Sequence, residues 1–213
     1  MKERRTLDIA RIYYPVTALG PGRRVGIWTM GCPRRCPGCI SPELWRTDPA
    51  REMTPGEILA AVDRMLEVSG GRQPARDEGG QPKASGGRQP DGFTISGGEP
   101  FLRPEALAEL LEGLLLISDD ILVYTGYTYR ELRAMKNPCV DRAIACCAAL
   151  VDGPYLEEEN DGVGLRGSAN QQCHVFRYQE RYRGMEQARR LVQNVILPER
   201  VLTFGIPGKG GSE

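Results

Sequence analysis

Three cysteines crowd into the segment GCPRRCPGC, with spacing Cys32-x3-Cys36-x2-Cys39. This is the feature that most restricts how the chain folds. The run before it, VGIWTM (25–30), is apolar and β-prone and is broken by Gly31, so the cysteines begin where a strand ends. Pro33, Pro37 and Gly38 suit a loop that must curl tightly. Three thiolates on such a loop can converge on one face of a cubane iron–sulfur cluster, which usually takes four cysteines. A local set of three leaves one iron open, as in a cluster that binds a ligand rather than one that only carries electrons. The competing readings are a structural zinc site and a chance grouping of buried thiols. Zinc needs a fourth ligand, and the customary second CxxC pair downstream is missing from the sequence.

Composition narrows the chemistry further. Seven cysteines in a reducing compartment mean metal or redox chemistry more often than disulfides. The single histidine, His174, leaves little for His-rich zinc sites, Ser-His-Asp triads or histidine acid–base catalysis, and is itself expected to be structural or superficial. The 28 basic and 28 acidic residues balance, so no bulk attraction to nucleic acid or anionic membrane is expected. No run approaches the ~20 apolar residues of a membrane span. The segment MKERRTLDIARIYY lacks the apolar core of a signal peptide, and a cytoplasmic location is expected.

Helical and strand patterns alternate along the chain. In TPGEILAAVDRMLE, Thr54, Pro55 and Glu57 form a capping box with proline at the first helical position, and Ile58, Leu59, Val62, Met65 and Leu66 share one face. FTIS (93–96), ILVY (121–124) and AALVD (148–152) read as strands. PEALAELLEGLLL (104–116) and TYRELRAM (128–135) read as the helices between them. RVLTFGI (200–206) adds a further strand. This order predicts a parallel sheet with βα connections: an α/β fold, an incomplete (β/α) barrel of about five to six parallel strands. At 213 residues the chain is short of the roughly 250 of a full eight-unit barrel and reads as one domain, 1–213. Residues 69–91 are Gly, Pro, Gln and charge, with GGRQP repeated at 70–74 and 86–90, and read as a flexible insertion; 208–213 read as a loose tail.

A second motif, SGGEP (96–100), ends a strand in two glycines, a carboxylate and a proline. Gly97 and Gly98 allow close approach to the backbone, Glu99 would face a cationic group such as an ammonium, and Pro100 stops the strand. The C-terminal end of a strand is where α/β barrels place their binding groups. The plain alternative is a strand–helix turn.

The cysteine motif followed by GGEP resembles the radical S-adenosylmethionine (SAM) superfamily. The resemblance implies a [4Fe–4S] cluster on Cys32, Cys36 and Cys39, with SAM chelated by the open iron and its amino group received by Gly97, Gly98 and Glu99. Reductive cleavage of SAM to a 5′-deoxyadenosyl radical would follow. Further segments, YYP, GPGRR (20–24), TGY (125–127), VDGPY (151–155) and RGSANQ (166–171), resemble in the same order the activating proteins of anaerobic ribonucleotide reductase, and more distantly the pyruvate formate-lyase activating enzymes. That likeness implies hydrogen abstraction from a glycine of a large partner glycyl radical enzyme, with a flavodoxin- or ferredoxin-type electron donor. It also singles out Tyr127, Arg166, Ser168 and Asn170 as cofactor contacts. Ile40 stands where the family has an aromatic near the adenine, which leaves Trp28, Tyr124 or Tyr127 as substitutes. Arg23 and Arg24 either line the mouth of the site or are exposed charges. Cys139, Cys146, Cys147 and Cys173 match no compact ligand spacing, and Cys146 and Cys147 fall in the apolar run AIACCAAL. The alternative functions at this point are a radical SAM enzyme acting on a peptide or small heterocycle, and a non-enzymatic Fe–S electron carrier.

Overall fold

The computed structural model describes residues 5–69 and 89–208. The chain opens with β1 (Leu7–Val16), which runs antiparallel to β2 (Arg24–Thr29); the short β3 (Glu52–Met53) pairs with the outer edge of β1. Helix α1 (Pro55–Val68) is capped by Thr54, whose hydroxyl accepts from the Glu57 amide while the Glu57 carboxylate accepts in return. Ile58, Val62 and Leu66, one helical face, are fully buried. Then follow β4 (Gly92–Gly97), α2 (Pro104–Leu114), β5 (Ile121–Tyr124), α3 (Tyr129–Ala134), α4 (Pro138–Cys146) and β6 (Ala149–Asp152). β2, β4, β5 and β6 are mutually parallel. Phe93, Ile95, Ile121, Leu122, Val123, Ala149 and Leu150 have no exposed surface, which is why these strands read as unbroken apolar runs. β7 (Gln172–Val175) closes the far edge antiparallel to β6, and the one-turn helix α5 (Gln179–Tyr182) follows.

Among the described residues the main sheet thus has seven strands, in the order β3-β1-β2-β4-β5-β6-β7, and is not closed. The expectation of five to six parallel strands is corrected to four. The strand expected at 200–206 forms, but elsewhere: β9 (Arg200–Gly205) pairs with β8 (Val192–Leu197) across the two-residue turn Pro198–Glu199, as a separate hairpin. Burial alternates along β8, so one face of the hairpin turns toward the protein. Phe204 on that side stacks on Tyr13 and meets Trp28, each with ring centroids 4.8 Å away. The hairpin therefore covers the β1–β2 side of the open sheet.

Arg24 corrects the reading of GPGRR. Arg23 is exposed, but Arg24 is fully buried at the N-terminal edge of the parallel strands, the end opposite the cysteine loop. Its Nε donates to Thr94 Oγ1 (2.8 Å); its Nη2 donates to the carbonyls of Phe93 (2.6 Å) and Asp120 (2.9 Å) and to Asp120 Oδ1 (3.1 Å). Asp120 is also held by the Tyr182 hydroxyl and by Arg181 at 3.0 Å. This network fastens the starts of β2, β4 and β5 to α5. Among the described residues no helix is long and apolar enough to cross a membrane. Residues 70–88 of the expected insertion, and 209–213 of the expected tail, lie outside the described residues.

Candidate functional site

The cysteine loop leaves β2 and is pinned where it starts. The Gly31 amide donates to Leu44 O and the Cys32 amide to Trp45 O, both at 2.9 Å. Within the loop, Cys39 N donates to Cys36 O (3.1 Å), and Arg35 and Gly38 take left-handed conformations with φ of 46° and 69°. Cys32, Cys36 and Cys39 are half-buried and free of disulfides. Burial pushes the Cys32 thiol up, with Glu99 and Cys36 adding to the shift. A metal there takes up a thiolate only by displacing its proton. Among the described residues no three His, Cys, Asp or Glu side chains converge on a point that a single metal ion fills. A cubane asks for something else, because its cysteines each bind a different iron and stand around the cube. Three free thiols on one tightly turned loop fit that group.

The two glycines press β4 against this loop. Gly97 has φ +108°, and a Cβ there would stand 2.4 Å from Thr29 O; one on Gly98 would stand 2.5 Å from Gly31 O. Close approach lets Gly98 N donate to Thr29 O and Glu99 N to Gly31 O, both 2.8 Å. The Glu99 carboxylate is 1% exposed and accepts from Phe101 N (3.0 Å), Thr125 Oγ1 (2.8 Å) and Gly126 N (2.7 Å). It ties the end of β4 to the end of β5, and burial pushes its carboxyl up to about 7 against the pull of these donors. The three donors are neutral, and the nearby Arg34 guanidinium adds a further pull toward the ionised form. Pro100 is buried and opens the single turn 100–102. Arg34, from the cysteine loop, pairs with Glu131 at 2.7 Å and lies 4.5 Å over the Tyr127 ring. The loop is thereby bolted to the start of α3, and Tyr127 serves as the surface beneath the bolt.

A cavity of about 440 Å³ opens beside these elements. Cys39 and Ile40 come from the cysteine loop, Ser96 and Gly97 from the end of β4, Trp28 and Tyr124 from β2 and β5, and Phe204 from the hairpin. Of the three aromatics weighed as adenine contacts, Trp28 and Tyr124 reach the cavity wall, and Tyr127 is not part of it. Cys32 and Cys36 also lie outside the wall, which the loop meets through Gly38–Ser41.

RGSANQ reaches the same cavity, but through Gly167 and Gln171. Arg166 pairs with Asp161 (3.1 Å) and donates to Gln171 O (3.3 Å). Ser168 is fully buried and accepts from Leu156 N (3.1 Å), and Asn170 donates to Pro154 O (2.8 Å). These three side chains hold the loop's own shape. Sequence reasoning missed Arg190, which lines the cavity and is 8% exposed. It donates to Asn160 Oδ1 (2.8 Å), Pro207 O (3.0 Å), Arg166 O (2.7 Å) and Gly167 O (2.9 Å), joining the 160–167 loop to the segment after β9. In sequence it sits in a polar run, EQARR, which reads as a solvated face. His174 stands 3.1 Å from Asp152 and 4.9 Å from the Tyr129 ring. Cys147 is buried with its thiol toward Ala143 O (3.3 Å).

A family model described as a 4Fe-4S single cluster domain matches residues 18–174. The anaerobic ribonucleoside-triphosphate reductase-activating protein of Escherichia coli (strain K12) is 30% identical over 172 residues, 78% of this chain and 97% of the relative. The protein of the same name from Vibrio cholerae serotype O1 is 29% identical over 174 residues, 77% and 96% of the two chains. A pyruvate formate-lyase-activating enzyme of Staphylococcus aureus (strain USA300) is 37% identical over 99 residues, 46% of this chain and 33% of the relative.

Proposed function

The chain belongs to the family of anaerobic ribonucleoside-triphosphate reductase-activating proteins, built on the 4Fe-4S single cluster domain, and from that membership we propose that it is a radical SAM activase acting on a glycine of a partner glycyl radical enzyme. The proposed partner is an anaerobic ribonucleotide reductase, and the proposed electron donor a flavodoxin or ferredoxin. The open sheet is read as an incomplete (β/α) barrel of the radical SAM type within one domain, 1–213. The observation that carries the reading is the cavity whose wall includes both Cys39 and Gly97, at the C-terminal ends of parallel strands.

In this reading Cys32, Cys36 and Cys39 would hold the cluster through their thiolates, and the cluster would bind SAM beside Gly97 and Gly98. Cluster and SAM supply, when bound, the one-electron chemistry that removes a Cα hydrogen atom from glycine. The chain's own residues place and shield it. Gly97 and Gly98 let the backbone stand close to the ligand's amino group. Glu99 fixes the β4 and β5 ends relative to each other, and Arg34 holds the cysteine loop down on Tyr127. Trp28 and Phe204 give the cavity apolar walls that exclude water, and Arg190 seals the side formed by Gly167 and Pro207. The test is to incubate the anaerobically reconstituted protein with SAM, reductant and the anaerobic ribonucleotide reductase of the same genome. A glycyl radical EPR doublet on the reductase supports the proposal. Its absence, while an authentic activase produces the signal on the same reductase, overturns it.

A further inference from the structure

The β8–β9 hairpin turns an apolar face to solvent. Its register sets Ile196 opposite Val201, Asn194 opposite Thr203 and Val192 opposite Gly205, and these six positions share the outward side. Ile196 is 84% exposed, Val201 59% and Val192 46%. Asn194 and Thr203 hydrogen-bond each other at 2.9 Å, so the aliphatic side chains are what the face offers. Natural hairpins guard exposed strands with charge, and these six positions carry none. Open apolar surface of this kind marks an interaction site.

The position of the face says what covers it. Val201 and Thr203 belong both to the outward side and to the wall of the 440 Å³ cavity, so the two surfaces are continuous. Ile40, 56% exposed, lines the same cavity from the cysteine loop. Side chains that line a cavity and are still half exposed stand at its mouth. The hairpin is also fixed in place: Gln193, on its inward side, accepts from Thr17 N (3.0 Å) and donates to Pro15 O (2.8 Å). A face held this way has little freedom left to lose on docking. The hairpin lies beyond residues 18–174, the span matched by the common cluster domain.

We propose that the outward face of the hairpin, with Ile40, is the docking surface for the partner enzyme, which seats an apolar patch of its own there while its glycine enters the cavity. The inference rests on the activase reading. A glycine within a polypeptide reaches the cavity only when the protein around it lies across the mouth, and the hairpin face continues that mouth. A second copy of this chain on the same face would close the mouth against that substrate.

The test uses reconstituted holoprotein with the anaerobic ribonucleotide reductase of the same genome. Ile196→Glu puts a charge on the face. The double variant Val192→Thr and Ile196→Thr keeps β-branched side chains and removes apolar surface, and neither position lines the cavity. Melting temperature, iron content and SAM cleavage with dithionite in the absence of reductase stay at wild-type values. In glycyl radical formation followed by EPR, the KM for the reductase rises about tenfold or more for Ile196→Glu and about threefold to tenfold for the double variant, with kcat within twofold. A KM within twofold of wild type for both variants overturns the proposal. So does a loss of SAM cleavage without reductase, since the face would then serve the site itself. A wild-type dimer that Ile196→Glu converts to monomer with unchanged KM assigns the face to a second copy and also overturns it. If the wild type neither cleaves SAM nor forms the glycyl radical, the activase reading falls first and takes this inference with it.

Discussion

Replacing Arg24 with methionine removes the cation from beneath the sheet while leaving the cavity at its other end untouched. Arg24 is 0% exposed and Asp120 2%, so water cannot take over the lost contacts. The variant leaves Asp120 Oδ1, the carbonyls of Phe93 and Asp120, and Thr94 Oγ1 without their guanidinium donor. Removing one member of a buried ion pair costs about 3–5 kcal/mol. Tyr182 and Arg181 remain on Asp120 and hold the cost near the lower end, about 3 kcal/mol. For a chain of 213 residues that lowers the melting temperature by about 6–12 °C. Urea unfolding of wild type, Arg24→Met, Asp120→Asn and the double variant gives the coupling directly, expected at about 1.5–3 kcal/mol for hydrogen bonds to charged groups. SAM affinity of the folded Arg24→Met protein stays within twofold of wild type. A cost below about 1 kcal/mol, or full additivity with Asp120→Asn, refutes the reasoning. A stable variant with lost SAM binding would return Arg24 to the mouth of the site.

Three further outcomes follow from the site. Gly97→Ala puts a Cβ 2.4 Å from Thr29 O at φ +108°, and costs about 2–4 kcal/mol in urea unfolding, with iron content falling because the cysteine loop is pushed from β4. Arg34→Ala removes a half-exposed pair and the contact over Tyr127; it costs only about 1 kcal/mol but slows SAM cleavage, and Arg34→Lys restores part of the rate. Glu99, raised from 4.5 to about 7, holds its proton more tightly in the folded state, so its burial penalty is absent below pH 4.5, grows through this window and is complete above 7. In iron-free protein the stability of wild type minus Glu99→Gln falls by about 2.5 kcal/mol from pH 5 to pH 8; a flat difference contradicts the assignment.

What could be read from sequence was local. The capping box at Thr54, the buried strands of the parallel layer and the loop of three cysteines each carry their signal within a few residues, and the structure has those elements at the expected places. What could not be read depends on partners far along the chain. Arg24 looks like a surface charge until Asp120, 96 residues on, supplies its buried acceptors. The link that Glu99 makes between the ends of β4 and β5 depends on Thr125 and Gly126, 26 and 27 residues on, and so has no local signal. β1 was not anticipated because LDIARIYYPV mixes charge, aromatics and a proline, which an antiparallel strand near a sheet edge tolerates. RVLTFGI was recognised as a strand, but its partner β8, with polar and apolar residues alternating, keeps it in a hairpin away from the main sheet. RGSANQ borders the cavity through Gly167 and Gln171, while the contacts of Arg166, Ser168 and Asn170 with Asp161, Leu156 and Pro154 follow from a turn that only the fold defines.

The most direct test of the central claim is made on anaerobically reconstituted protein, by counting iron and then assaying 5′-deoxyadenosine after SAM and dithionite are added, with Cys36→Ala alongside. The account predicts about four irons per chain, three held by thiolates and one left for SAM, with nucleoside formed by wild type alone. Bound zinc, or a full cluster that never cleaves SAM, would contradict it and return the three cysteines to a structural or electron-carrying role.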